Sequence, residues 1–294
     1  MDVPRSLTVL RAIPVTLPGR GRTTVWEAPG PPGAPTLVLL HGVTLTAALN
    51  WSGVVPLLAQ DYRVLVFDQR GHGDGLSCST FRLEDCADDV AAIAAELGVS
   101  RLTAVGYSMG GLVAQLLWHR HPQLTAGLVL CATAHNVAGS PWERAMAIAM
   151  PGLVTAATLV PAVQAMRADI VGTALLDRNT DPTDRSWAIQ QMRRTTLINV
   201  LSAVQAVCAF TSHAWIGSVD VPTAVVVTRD DRVVPAGRQH KLVRALPLST
   251  LIEIDGGHDV FMEAPSRFAA AVQGACDAVH AAPSALTEPA AGAS

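Results

Sequence analysis

Residues 101–111 read RLTAVGYSMGG, an apolar and β-branched run that stops at a serine set between glycines. The run has the composition of a buried strand, and the next stretch, MGGLVAQLLWHRHP (109–122), reads as a helix closed by proline. Ser108 therefore falls on the turn between a strand and a helix. A turn that tight strains the backbone, needs small neighbours for close packing and pushes the hydroxyl out at the edge of a sheet. A serine hydroxyl is a weak nucleophile at neutral pH, so a catalytic Ser108 needs a base, and the base needs an orienting group.

Outward from this turn the chain alternates short apolar runs with amphipathic stretches, the order of a parallel sheet covered by helices. TLVLLHG (36–42), YRVLVFD (62–68), AGLVLCATA (126–134), VPTAVVVT (221–228) and STLIEID (249–255) read as further strands. FRLEDCADDVAAIAAEL (81–97) and AGRQHKLVRAL (236–246) read as helices, with a final helix from about 260. Between 135 and 213 the rhythm breaks into helical, proline-punctuated sequence. The expected organisation is a core in two parts (1–134 and 214–280), a helical cap inserted at 135–213, and a flexible tail at 281–294. The fold class is α/β, a mostly parallel central sheet with helices on both faces.

The loops after the last two strands hold the other candidates. VVVTRDDRVVP offers Asp230 and Asp231, and IEIDGGHDVFMEAP offers His258 in a glycine-marked loop. Three loops after three separate strands converge on one end of a parallel sheet, where ligands of such sheets bind. An oxyanion also needs donors: the backbone N–H of Met109, at the helix start, and that of Val43, in the loop after LVLLHG.

These residues carry a resemblance. LLHGVT (39–44), FDQRGHG (67–73), GYSMGG (106–111), DDRVVP (230–235) and GGHDVFMEAP (256–265) occur in the order seen in the α/β-hydrolase superfamily. The chain resembles small bacterial serine esterases and cofactor-free haloperoxidase- or perhydrolase-like enzymes with a helical cap. The resemblance implies Ser108 as nucleophile, His258 as base, and Asp231, four residues before the proline of DRVVP, as the acid in preference to Asp230. It implies hydrolysis of carboxylic esters through an acyl-enzyme. Thioesterase, lactonase, perhydrolase and carbon–carbon bond hydrolase chemistry on the same triad are alternatives, as is a non-catalytic ligand receptor. Relatives that are haloalkane dehalogenases or epoxide hydrolases use a carboxylate nucleophile, which Ser108 is not.

Other signals exclude or subordinate other classes. A net charge of -3 and the absence of a Lys/Arg-rich run leave no footprint for nucleic acid. The five cysteines are scattered without a C-x-x-C pair, as expected of reduced thiols in a cytoplasmic protein, and no signal-peptide core is evident near the start. His41 and His72 are expected to brace their loops, His119 and His121 end a helix, where cations suit the dipole, and His135, His213 and His240 lack metal-ligand spacing, so neither metal nor cofactor is expected. Residues 145–166, AMAIAMPGLVTAATLVPAVQAM, are uncharged, but Pro151, Gly152, Pro161 and Gln164 argue against a membrane span. A buried or ligand-lining helical pair is expected there. The expected partner is a small-molecule ester, and a homo-oligomer is compatible with the sequence.

Overall fold

A computed structural model of the chain describes residue 7 and residues 10–137, 141–169 and 181–282. Among the described residues eight strands form one sheet: β1 (Arg11–Leu17), β2 (Gly21–Ala28), β3 (Thr36–Leu40), β4 (Arg63–Val66), β5 (Leu102–Tyr107), β6 (Thr125–Cys131), β7 (Thr223–Thr228) and β8 (Ser249–Ile254). Their order is β1-β2-β4-β3-β5-β6-β7-β8. Strands β3 to β8 are parallel, and β2 runs antiparallel to both β1 and β4.

Before β6 the helices are α1 (Ala47–Trp51), α2 (Val55–Leu58), α3 (Leu83–Glu96) and α4 (Met109–Arg120). Between β6 and β7 lie α5 (Pro141–Thr158), α6 (Pro161–Ala165), α7 (Pro182–Met192) and α8 (Leu197–Ala209). After β7 come α9 (Ala236–Ala245), α10 (Val260–Glu263) and α11 (Pro265–Ala281).

Successive strand side chains point to opposite faces, so each central strand feeds two cores. Val38, Leu40, Leu128, Leu130, Val225 and Val227 pack on one face with α3, α4 and α9. Leu37, Leu39, Val105, Val129, Ala224 and Val226 pack on the other with α1, α2 and α11. Burial on both faces explains why β7 reads as an unbroken apolar run. Each such Val or Leu stabilises the fold by about 1.5–3 kcal/mol. In α3, Glu84 and Asp85 occupy the first turn, where the helix dipole favours acidic groups.

Two stretches differ from the expectation. The hairpin β1–β2 was not foreseen: Pro14 lies within β1, and only Val15 and Leu17 of that strand are buried. A proline is tolerated because β1 is an edge strand, with one side unpaired. The uncharged 145–166 stretch forms most of α5, the link at 159–160 and the whole of α6, and its described side chains are largely exposed rather than buried. Ile148 on α5 is 81% exposed and Leu159 in the link 78%, while α5 packs on α8. Among the described residues no helix is long and apolar enough to cross a membrane. Helix α11 extends to Ala281, and the remainder of the expected tail, from 283, lies outside the described residues.

Candidate active site

Strand β5 is buried throughout and ends at Tyr107, so its direction delivers Ser108 to the carboxyl edge of the sheet. Ser108 has φ 52° and ψ −116°, a conformation that costs a non-glycine residue about 1–3 kcal/mol. Hydrogen bonds hold it there. Its N–H donates to Cys131 O at 2.9 Å, and its carbonyl accepts from the Gly111 N–H and the Thr133 hydroxyl, each at 2.9 Å. The neighbouring glycines are required by contact. A Cβ on Gly106 would lie 2.2 Å from Gly110 O, and one on Gly110 would lie 2.0 Å from Leu40 O.

The loop after β8 brings His258 Nε2 to 2.9 Å from Ser108 Oγ. Its Nδ1 lies 2.7 Å from Asp231 Oδ2, in the loop after β7. A carboxylate at Nδ1 fixes the tautomer with the proton on that nitrogen, leaving the Nε2 lone pair to accept from the hydroxyl. The Asp231 side chain is fully buried, and its other oxygen accepts from the Val233 and Val234 N–H groups, each at 2.8 Å. Asp230 points elsewhere: its Oδ2 accepts from Gly256 N–H at 3.3 Å, bracing the histidine loop. The same loop is closed by Glu263, which accepts from Gly257 N–H at 3.3 Å.

The loop after β3 is locked from behind. His41 Nδ1 donates to Gly42 O at 2.8 Å, and its Nε2 accepts from Gln69 N–H at 2.9 Å. Burial lowers the His41 pKa to about 4, so the ring is neutral, as this pairing demands. The Gln69 amide donates to His41 O at 2.7 Å, and Gly42 N–H donates to Asn50 Oδ1 at 3.1 Å. Thr44, a β-branched residue, sits at φ 68°. Val43 and Ser108 line one small cavity, together with His258. Neither the Val43 N–H nor the Met109 N–H meets an acceptor among the described residues. His72 is buried with its Nδ1 at 3.1 Å from Arg70 O, in the turn beside His41.

The five expected residues thus gather at one rim. Two supporting residues escaped the sequence reading. Thr228 donates to Asp231 Oδ2 at 2.9 Å, and buried Gln239 on α9 bonds Thr228 N–H at 3.1 Å, Val234 O at 2.7 Å and Asp231 Oδ2 at 3.4 Å. A glutamine on the apolar side of an amphipathic helix was the available signal. All five cysteines are free thiols.

Comparisons with known proteins agree with this architecture. A family model described as the alpha/beta hydrolase fold matches residues 35–265. The chain is 30% identical over 232 residues to the provisionally named carbamate hydrolase RutD of Stutzerimonas stutzeri strain A1501, covering 77% of this chain and 86% of that relative. It is also 30% identical over 240 residues to the magnesium-chelatase 30 kDa subunit of Rhodobacter capsulatus, covering 78% of this chain and 82% of that protein. Among solved structures, a thermophilic esterase from Thermogutta terrifontis superposes with a TM-score of 0.75 at 23% identity, over 92% of this chain and 99% of that one.

Proposed function

The chain belongs to the α/β-hydrolase fold family, and within it we propose a serine hydrolase that cleaves carboxylic esters of apolar small molecules. The observation that carries the reading is the continuous relay from Ser108 Oγ through His258 to buried Asp231, at 2.9 Å and 2.7 Å.

In the proposed cycle Ser108 Oγ attacks the ester carbonyl carbon while His258 Nε2 takes the hydroxyl proton. Asp231 orients the ring and stabilises the imidazolium. The N–H groups of Val43 and Met109 are assigned to the oxyanion, an interaction worth about 3 kcal/mol per donor. Collapse of the tetrahedral intermediate breaks the carbonyl–alkoxy bond, and His258 gives its proton to the departing alcohol. Water, deprotonated by the same nitrogen, then attacks the acyl-enzyme and releases the acid and the serine. In this reading residues 135–213 form a cap inserted into the core of 1–134 and 214–280.

A p-nitrophenyl ester series, with fluorophosphonate labelling and peptide mapping, tests the proposal. Turnover lost in Ser108→Ala, with the label on Ser108, is the expected result. An unlabelled Ser108, or a variant as active as the parent, rejects it.

A second reading, cleavage of carbamates, is favoured by the RutD relatives. The same attack would yield a carbamoyl-serine and release the alcohol. Parallel ester and carbamate panels separate the two by kcat/KM.

A further inference from the structure

The cavity beside Ser108 is narrow, with a volume of about 40 Å³. Its walls include Leu45, Val233, Phe261 and Met192, and none of the described lining side chains is a lysine or arginine. An acyl group held there meets apolar surface and has no cation with which to pair a carboxylate.

Most of this wall comes from loops that also build the relay. Val233 follows Asp231, Phe261 follows His258, and Leu45 continues the loop of Val43. Met192 differs. It ends α7, within the segment inserted between β6 and β7, and it is fully buried against the cavity. A methionine on an isolated helix end could swing aside, but its neighbours are tied to the core. Gln191 accepts from the Thr46 hydroxyl at 2.9 Å, and Arg194 pairs with Asp74 and lies 3.9 Å from buried Asp68. Gly73 N–H donates to the Thr195 hydroxyl at 3.1 Å, and Asn199 donates to Gly71 O at 2.9 Å. The turn that carries Met192 is therefore fastened to the loop before α1 and to the loop after β4.

Resting on the ester-hydrolase reading, we infer that the chain favours short, uncharged acyl groups, and that Met192 sets this limit. The thioether forms one wall of the cavity, and Met192→Ala widens it without touching a relay residue.

The test measures kcat/KM for p-nitrophenyl acetate, propionate, butyrate, hexanoate and octanoate, with a small fluorophosphonate labelling reaction run alongside. For the parent, kcat/KM should fall by about tenfold or more between propionate and hexanoate. Met192→Ala should raise the hexanoate-to-acetate ratio by about tenfold. Met192→Val should move it the same way by less, and serves if the alanine variant does not fold. A parent that cleaves octanoate as readily as acetate overturns the limit, as does an unchanged ratio in folded variants. Labelling of Ser108 alongside such a flat profile rejects only the length limit. No labelling and no turnover of any ester rejects the hydrolase reading, and this inference with it.

Discussion

The hydroxyl of Tyr107 donates to the backbone carbonyl of His258 at 2.6 Å, so the residue before the nucleophile holds the loop that carries the base. The tyrosine is fully buried, its ring 5.5 Å from that of His258 and edge-on to Trp51, Phe261 and Phe268. Burial pushes its pKa upward, which keeps it a neutral donor. Tyr107→Phe removes one hydrogen bond and almost no volume. Unfolding in urea should become easier by about 1–2 kcal/mol, and kcat should fall several-fold with KM little changed. A KM effect alone would show that the tie does not position His258.

Asp231→Asn should cost far more activity than stability. The amide fits the same space, but an NH₂ group facing Nδ1 would favour the tautomer that turns a proton towards Ser108. A loss in kcat of about 10⁴-fold is expected, by analogy with the same change in a known triad. Asp230→Asn should retain most activity, because that carboxylate braces Gly256 and does not meet His258. Comparing the two variants with one chromogenic ester checks both assignments.

Gly110→Ala should fail to fold or fold poorly. Its new methyl would lie 2.0 Å from Leu40 O and 2.5 Å from Leu40 C, both backbone atoms that cannot rotate away. Soluble yield and thermal melting provide the measurement. Near-parental melting would mean that α4 can withdraw from β3.

Acid should weaken the fold through the paired histidines. Burial lowers the pKa of His41 to about 4 and, helped by neighbouring His41, that of His72 to about 3. Unfolded imidazoles bind protons near pH 6.5, so between that pH and the folded values the unfolded chain binds more. Their contribution is complete above 6.5 and declines as pH falls towards 4, by roughly 1.4 kcal/mol per unit for each ring. Burial raises the pKa of Asp68, whose contribution therefore runs the other way. Urea midpoints at pH 7.5, 5.5 and 4.5 for the parent and His41→Asn isolate the imidazole part. Equal acid sensitivity in both would remove His41 from the account.

Much of the fold and of the rim could be read from the chain because each depends on local pattern. Continuous apolar runs mark β3 to β7, and each candidate follows such a run within a few residues. The choice between Asp230 and Asp231 is different. The family pattern implies Asp231, four residues before the proline; the physical cause is that two backbone N–H groups and the Thr228 hydroxyl converge on Asp231. Thr228 and Gln239 were illegible because their roles are hydrogen bonds to a side chain, which leave no periodic mark on the sequence. The β1–β2 hairpin was missed because an edge strand with a proline carries half the apolar signal of a central one. Exposure of Ile148 and Leu159 could not be foreseen, because composition does not say how much of a helix its neighbours will cover.

Strands β6 and β7 are hydrogen-bonded neighbours, yet the chain leaves the sheet at Cys131 and returns only at Thr223. The two strands are parallel, so the chain departs at the carboxyl edge of the sheet and returns at the opposite edge, where Thr223 lies beside Leu128. A different helical module could be spliced in after Thr133, which holds the Ser108 carbonyl, provided it crosses the sheet to the start of β7. On the proposed hydrolase reading such a chimera would keep its bond-breaking chemistry and exchange only the set of molecules it admits.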